Sequence, residues 1–119
     1  MERLRRKRDL QQVFAQGQRC YSAWVVAQVR QRAPEEEGGS GLRMAVVAGR
    51  KLGNAVRRNR AKRLLREALR EAVRGWEGPW DVALIARAGL FSLSPATRVE
   101  ELSALLRRAG LLPGEAAEA

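Results

Sequence analysis

The apolar positions along the chain change period several times, and each change marks an element. Leu10, Val13 and Phe14 fall at i, i+3 and i+4, which predicts a short helix capped by Asp9 and ended by Gly17. Residues 21–29 are rich in aromatic and β-branched types and read as one strand. Alternation puts Val25, Ala27 and Val29 on one face of it and Trp24, Val26 and Gln28 on the other, so helices or a ligand are expected over each face. Residues 34–41, with three successive glutamates, read as an acidic turn that joins two antiparallel strands in a long hairpin. Residues 42–48 give the second strand, and the glycine-bracketed basic stretch 49–54 reads as a short third strand or a crossover.

From residue 55 to 74 the period is helical. Ala61, Leu64, Leu65, Ala68, Leu69, Ala72 and Val73 make one apolar stripe behind an Asn54 N-cap, and Gly75 and Gly78-Pro79 stop the helix. Residues 81–87 read as a buried strand. Ser94-Pro95 then opens a last helix with stripe Val99, Leu102, Leu105 and Leu106, ended by Gly110 and Pro113. The strand, helix, strand order between residues 42 and 87 implies a crossover over one face of a sheet. The expected class is α+β, a sandwich with roughly four strands and three helices. One domain is expected over residues 9–112, after a mobile basic arm at 1–8 and before a disordered tail at 113–119.

Charge changes the picture more than size does. Within 119 residues, 23 Lys+Arg face 13 Asp+Glu, a net charge of +10 with no histidine. Only Lys7, Lys51 and Lys62 are lysine. Arginine is weakly hydrated and forked, suits phosphate and stacks on bases, so the bias points to nucleic acid. A charge serving solubility alone would be scattered, whereas this one is clustered. Cys20 has no partner for an intramolecular disulfide and, without histidine, no zinc set; a small half-buried residue beside a strand is its expected role. No apolar run approaches 18 residues, so no membrane span is expected, and the basic start lacks the apolar segment of a secretory signal. The cytoplasm is the default location.

The long helix carries an electrostatic problem. Arg57, Arg58, Arg60, Lys62 and Arg63 crowd its first turns, where the macrodipole is already positive and neighbours of like sign repel. The set costs on the order of 1–2 kcal/mol in the free protein. Glu67 and Glu71 come too late to relieve the first turn, and no acid interrupts residues 57–66. A polyanion reverses the sign of this effect and also accepts the free N–H groups of the helix end.

The run Lys51-Leu52-Gly53-Asn54-Ala55-Val56-Arg57-Arg58-Asn59-Arg60-Ala61-Lys62-Arg63-Leu64-Leu65-Arg66-Glu67 resembles the signature of the bacterial ribonuclease P protein subunit. That signature reads Lys-x-Gly-x-Ala-Val-x-Arg-Asn-x-x-Lys-Arg-x-x-Arg-Glu, and every fixed position is filled. Residues 8–17, 24–29 and 81–87 are similar to the family's first helix, first strand and later strand. The resemblance implies an α+β sandwich with a left-handed βαβ crossover. It implies the protein cofactor of a ribozyme that removes the 5′ leader from precursor tRNA, paired one to one with ribonuclease P RNA. The chemistry belongs there to the RNA and to magnesium bound mainly by that RNA. No catalytic or metal site is expected in the protein: histidine is absent, and Asp9 and Asp81 stand isolated.

For contact with the catalytic RNA the expected residues are Arg50, Lys51, Arg57, Arg58, Asn59, Arg60, Lys62, Arg63 and Arg66. The arginines would serve as phosphate forks, the lysines as point charges, and Asn59 as a hydrogen-bonding group. Phe14, Trp24 and Val26 are the expected leader cleft, because unstacked bases pack on aromatic faces. Core burial is the alternative for Phe14. Leu64, Leu65, Leu69 and Val73 are the helix's core face. The chain departs from the family at Leu10, where an aromatic is common, at Ala27, and at Gly49-Arg50, which replaces the commoner Ser-Lys. A ribosomal RNA-binding protein and a DNA-binding factor using the arginine helix are the rival readings.

Overall fold

A strand covered on both faces needs apolar or small residues at nearly every position, and two stretches of this chain supply them. They are β3, Val25–Gln31, and β5, Trp80–Ala86, paired antiparallel from Val25 opposite Ala86 to Gln31 opposite Trp80. The computed structural model describes residues 2–33, 41–76 and 78–111. Strand β4, Arg43–Val47, lies parallel to β5, and β1, Glu2–Arg3, and β2, Gln18–Tyr21, form the edges, so the order is β1-β4-β5-β3-β2. Helices α1, Lys7–Gln16, α2, Ala55–Ala72, and α3, Pro95–Arg108, complete an α+β fold.

Residues paired directly across a sheet share a face, so the register sorts the side chains. Val25, Ala27, Val29, Met44, Val82 and Leu84 join the α2 stripe and Leu102, Leu105 and Leu106 of α3 in the main core. The opposite face carries α1. There Val13 is buried with Leu4 and Ala83, and Leu10, Phe14 and Ala45 pack around them. The chain leaves α1 at a point too tight for a side chain: a Cβ on Gly17 would lie 2.5 Å from the Val13 carbonyl oxygen and 2.8 Å from that of Val29.

Helix α2 links the parallel neighbours β4 and β5, which is the expected crossover. Its start follows the expected chemistry, with Asn54 Oδ1 accepting from the Arg57 backbone N–H at 3.0 Å. Ser94 likewise accepts from Thr97 N–H at 3.2 Å, with Pro95 in the first helical position. Asn54→Ala is expected to cost about 1 kcal/mol, read as a lowered urea midpoint at unchanged slope.

Several expectations need correction. The apolar run 21–29 is not one strand, because the chain reverses between β2 and β3. Ser22 makes the turn, its Oγ donating to the Val25 carbonyl at 2.7 Å and accepting from the Val25 N–H at 3.0 Å. The basic start is not a free arm: Glu2 N–H donates to Leu42 O at 3.1 Å, Leu4 N–H donates to Met44 O at 2.6 Å, and Leu4 is buried. Asp9 does not cap α1, whose N-cap is Arg6 without a side-chain bond; Asp9 sits in the first turn, where the macrodipole favours an anion. Strands β3 and β4 are antiparallel but not a hairpin, because β5 lies between them. Residues 49–54 form neither strand nor simple link but a 3-10 turn, Arg50–Leu52. The sheet therefore has five strands rather than four. Residues 34–40 and the expected tail 113–119 lie outside the described residues.

Candidate nucleic-acid interface

The stripe that buries Ala61, Leu64, Leu65, Ala68 and Leu69 turns the cations of α2 outward. Arg57, Asn59, Arg60 and Arg63 are exposed, and Arg58, Lys62 and Arg66 are half-buried. The preceding 3-10 turn adds Arg50 and Lys51, both exposed. All nine residues singled out from the sequence thus fall on α2 or the turn that feeds it. The first turn of α2 holds no acid. Along the helix the carboxylates that pair are late: Glu67 lies 3.9 Å from Arg63, and Glu71 pairs with Arg74.

Two further details concern the charges of this face. Arg58 Nε is buried and has no hydrogen-bond partner. The Arg66 guanidinium is held below the ordinary arginine value, first by burial and then by the like charges of Arg3 and Arg70. A neighbouring phosphate would reverse that push. Arg3 was not among the expected contacts, because its place beside α2 depends on β1 pairing with β4.

The second expected surface is only partly assembled. Phe14 is half-buried on α1, and Val26, on the same side of the sheet, is buried. Trp24 does not join them. It is 3% exposed in the main core, and its Nε1–H donates to Glu101 of α3 at 3.1 Å. Trp24 precedes β3 in the turn, where strand alternation no longer fixes which way a side chain points. Tyr21 stands in its place: it is 60% exposed and pairs directly across from Val26, which pairs in turn with Ile85. Arg19 borders this row, 5.8 Å from the Tyr21 ring centroid and bonded to Gln28 Oε1 at 2.9 and 3.1 Å. Gln28 donates in turn to the Phe14 carbonyl at 2.8 Å, tying α1 to the row.

Asp9 and Asp81 are not isolated. Asp81 is fully buried and is gripped by Arg32 and by Arg43, whose Nε and Nη2 donate to its two oxygens at 2.8 Å each. Arg43 also reaches Asp9 at 3.3 Å. The Asp81 hydrogen bond is the main cause that holds Arg43 above the ordinary arginine value. A carboxylate so engaged by guanidinium donors is a structural anchor. Among the described residues no three His, Cys, Asp or Glu side chains converge to hold a metal ion, and no helix is long and apolar enough to cross a membrane. Cys20 is half-buried against the main core.

The family model Ribonuclease P matches residues 1–110. The ribonuclease P protein component of Symbiobacterium thermophilum is 39% identical over 114 residues, covering 95% of each chain. That of Chloroflexus aurantiacus is 35% identical over 115 residues, covering 93% of this chain and 79% of the relative. Among solved structures, the RNase P protein from Thermotoga maritima superposes with a TM-score of 0.71 at 30% identity, covering 91% of this chain and 97% of that one. The Staphylococcus aureus RNase P protein gives a TM-score of 0.75 at 22% identity, covering 93% and 97%, which speaks for the fold alone. Matched over nearly its whole length in both sequence and fold, the chain belongs to the ribonuclease P protein family.

Proposed function

We propose that this chain binds the catalytic RNA of ribonuclease P one to one and holds the 5′ leader of precursor tRNA while the RNA removes it. The observation that carries the reading is the acid-free cationic face running from Arg57 to Arg66, continued by Arg50, Lys51 and Arg3. In the free protein these charges repel one another and oppose the helix dipole. A phosphate backbone laid along the face removes that repulsion, accepts from first-turn N–H groups, and releases counterions as it binds. Arg57, Arg58, Arg60, Arg63 and Arg66 act as forks, Lys51 and Lys62 as point charges, and Asn59 as a neutral donor and acceptor.

The leader lies on the other face of the sheet. Phe14 and the exposed Tyr21, set beside the buried Val26, offer aromatic surface to unstacked bases, and Arg19 meets the backbone. Tyr21 takes the stacking part expected of Trp24. Magnesium, held mainly by the RNA, supplies the activation of water and the stabilisation of the displaced oxygen. On this reading the protein's own work is to neutralise phosphate and to position the substrate. This work is done in the cytoplasm, as expected from the sequence.

Protein cations that screen RNA phosphates reduce the need for divalent ions. Added to a bacterial ribonuclease P RNA at low magnesium, the protein is therefore expected to restore precursor-tRNA cleavage at the mature 5′ end. Cleavage that stays flat across a protein titration would sink the reading.

A further inference from the structure

The chain between β5 and α3 forms a second 3-10 turn, Ala88–Ser92, which the cationic face of α2 overhangs. Arg57 Cζ lies 4.1 Å from the centroid of the Phe91 ring, and Arg60 Cζ lies 5.9 Å from it. The shorter distance is that of a guanidinium stacked on an aromatic face. Among the described residues no carboxylate pairs with Arg57 or Arg60, and the Phe91 ring lies against the first and near the second.

The ring sits on a fixed support. A Cβ on Gly89 would lie 2.7 Å from the Ala23 carbonyl oxygen and 3.4 Å from Trp24 Cα, so only glycine lets the turn rest on the β2–β3 connection. Arg87 N–H donates to Trp24 O at 2.9 Å. From the other side Arg98 of α3, 7% exposed, donates Nη1–H to the carbonyls of Leu90 and Leu93 at 3.3 and 2.5 Å. Leu90 is fully buried. Phe91 is thus set between anchored neighbours, whereas Arg57 is a long side chain on an exposed helix start.

We infer that Phe91 is a positioning residue for RNA binding: its ring holds the Arg57 guanidinium in place on the cationic face, so that a phosphate meets an ordered fork. The inference rests on the RNA-binding role proposed above. A guanidinium that rests on a ring by one face can still turn its N–H edge to phosphate oxygens. A cation–π contact at an exposed site shifts a conformational balance by a factor of roughly 2–5. That factor passes into affinity because an ordered side chain has less freedom left to lose on binding.

The test is binding of the full-length protein to a bacterial ribonuclease P RNA, followed by fluorescence anisotropy across a salt series. Wild-type protein that fails to bind overturns the RNA-binding role itself. Given wild-type binding, Phe91→Leu keeps apolar bulk but loses the ring, and it is expected to weaken affinity about 2–5-fold at an unchanged salt slope. Phe91→Tyr is expected to bind like wild type. Arg57→Ala should lower the slope by about one, and Phe91→Leu in that background should cost nothing more. Arg57→Lys, a surface change that keeps the charge and loses the stacked plane, should weaken binding about 2–5-fold as well. The inference is overturned if Phe91→Leu binds like wild type, if its loss persists without Arg57, or if Arg57→Lys binds as tightly as wild type.

Discussion

Reversing Arg58 and Arg63 to glutamate together is expected to lower affinity for ribonuclease P RNA by about 10²–10⁴-fold while leaving the protein folded. A charge-assisted hydrogen bond is worth roughly 1.5–3 kcal/mol, so two lost phosphate contacts account for about 3–6 kcal/mol. The salt slope of binding should fall by about two, one for each released contact. Stability should hold or rise slightly. Arg58 sits near the positive end of α2, where an anion is favoured by about 0.3–1 kcal/mol, and its buried Nε gives up no hydrogen bond. The ion pair lost between Arg63 and Glu67 is long, at 3.9 Å, and both side chains are more than half exposed, so it contributes next to nothing. Anisotropy across a salt series, with a thermal melt of each variant, separates the outcomes. Loss of cooperative folding would show that these arginines serve the structure, and unchanged affinity would move the RNA to another surface.

The helices were legible because everything that defines them is local. A stripe at Ala61, Leu64, Leu65, Ala68 and Leu69 with Asn54 before it contains both the buried face and the start of α2, and Ser94-Pro95 does the same for α3. The sheet was less legible. Alternation across residues 21–29 cannot reveal that Ser22 folds the run back on itself, since a hairpin of two apolar strands and one longer strand share a pattern. Nor does any local signal say that β5 inserts between β3 and β4, or that two residues of a charged N-terminus add an edge strand. These follow from burying Leu4 and from matching Arg43 and Arg30 to Asp81, pairs distant in sequence.

The candidate site divides along the same line. The cations of residues 50–66 were readable because a contiguous motif places them on one helix and the turn before it. Tyr21, Arg3 and Phe91 were not, because each gains its meaning from a neighbour on another element: Val26 across the hairpin, Arg66 beside the edge strand, and Arg57 above the turn. Trp24 erred the other way. Its aromatic ring suggested a stacking platform, but the indole N–H found Glu101 and the ring filled the core.

Asp81→Asn is expected to be the most damaging single change to the fold. Asp81 opposes Arg43 on β4 and Arg30 on β3 in the sheet register, and Arg32 closes on it from the end of β3. One carboxylate therefore fixes the central strand against both neighbours, and a slip of one residue would send it to the other face. Asparagine keeps the size but removes the charge that the 2%-exposed Arg32 and the largely buried Arg43 both engage. Breaking a buried pair from one side costs about 3–5 kcal/mol, a large share of the 5–15 kcal/mol that typically holds a domain together. Arg43 retains Asp9 at 3.3 Å, a partial relief. The double variant Arg32→Met with Asp81→Leu removes both the most buried cation and its partner, and it should be less destabilised than Asp81→Asn alone. Urea unfolding of the three proteins decides the matter. A cost below about 1 kcal/mol for Asp81→Asn would mean that the arginines find other partners and that register is held by apolar packing alone.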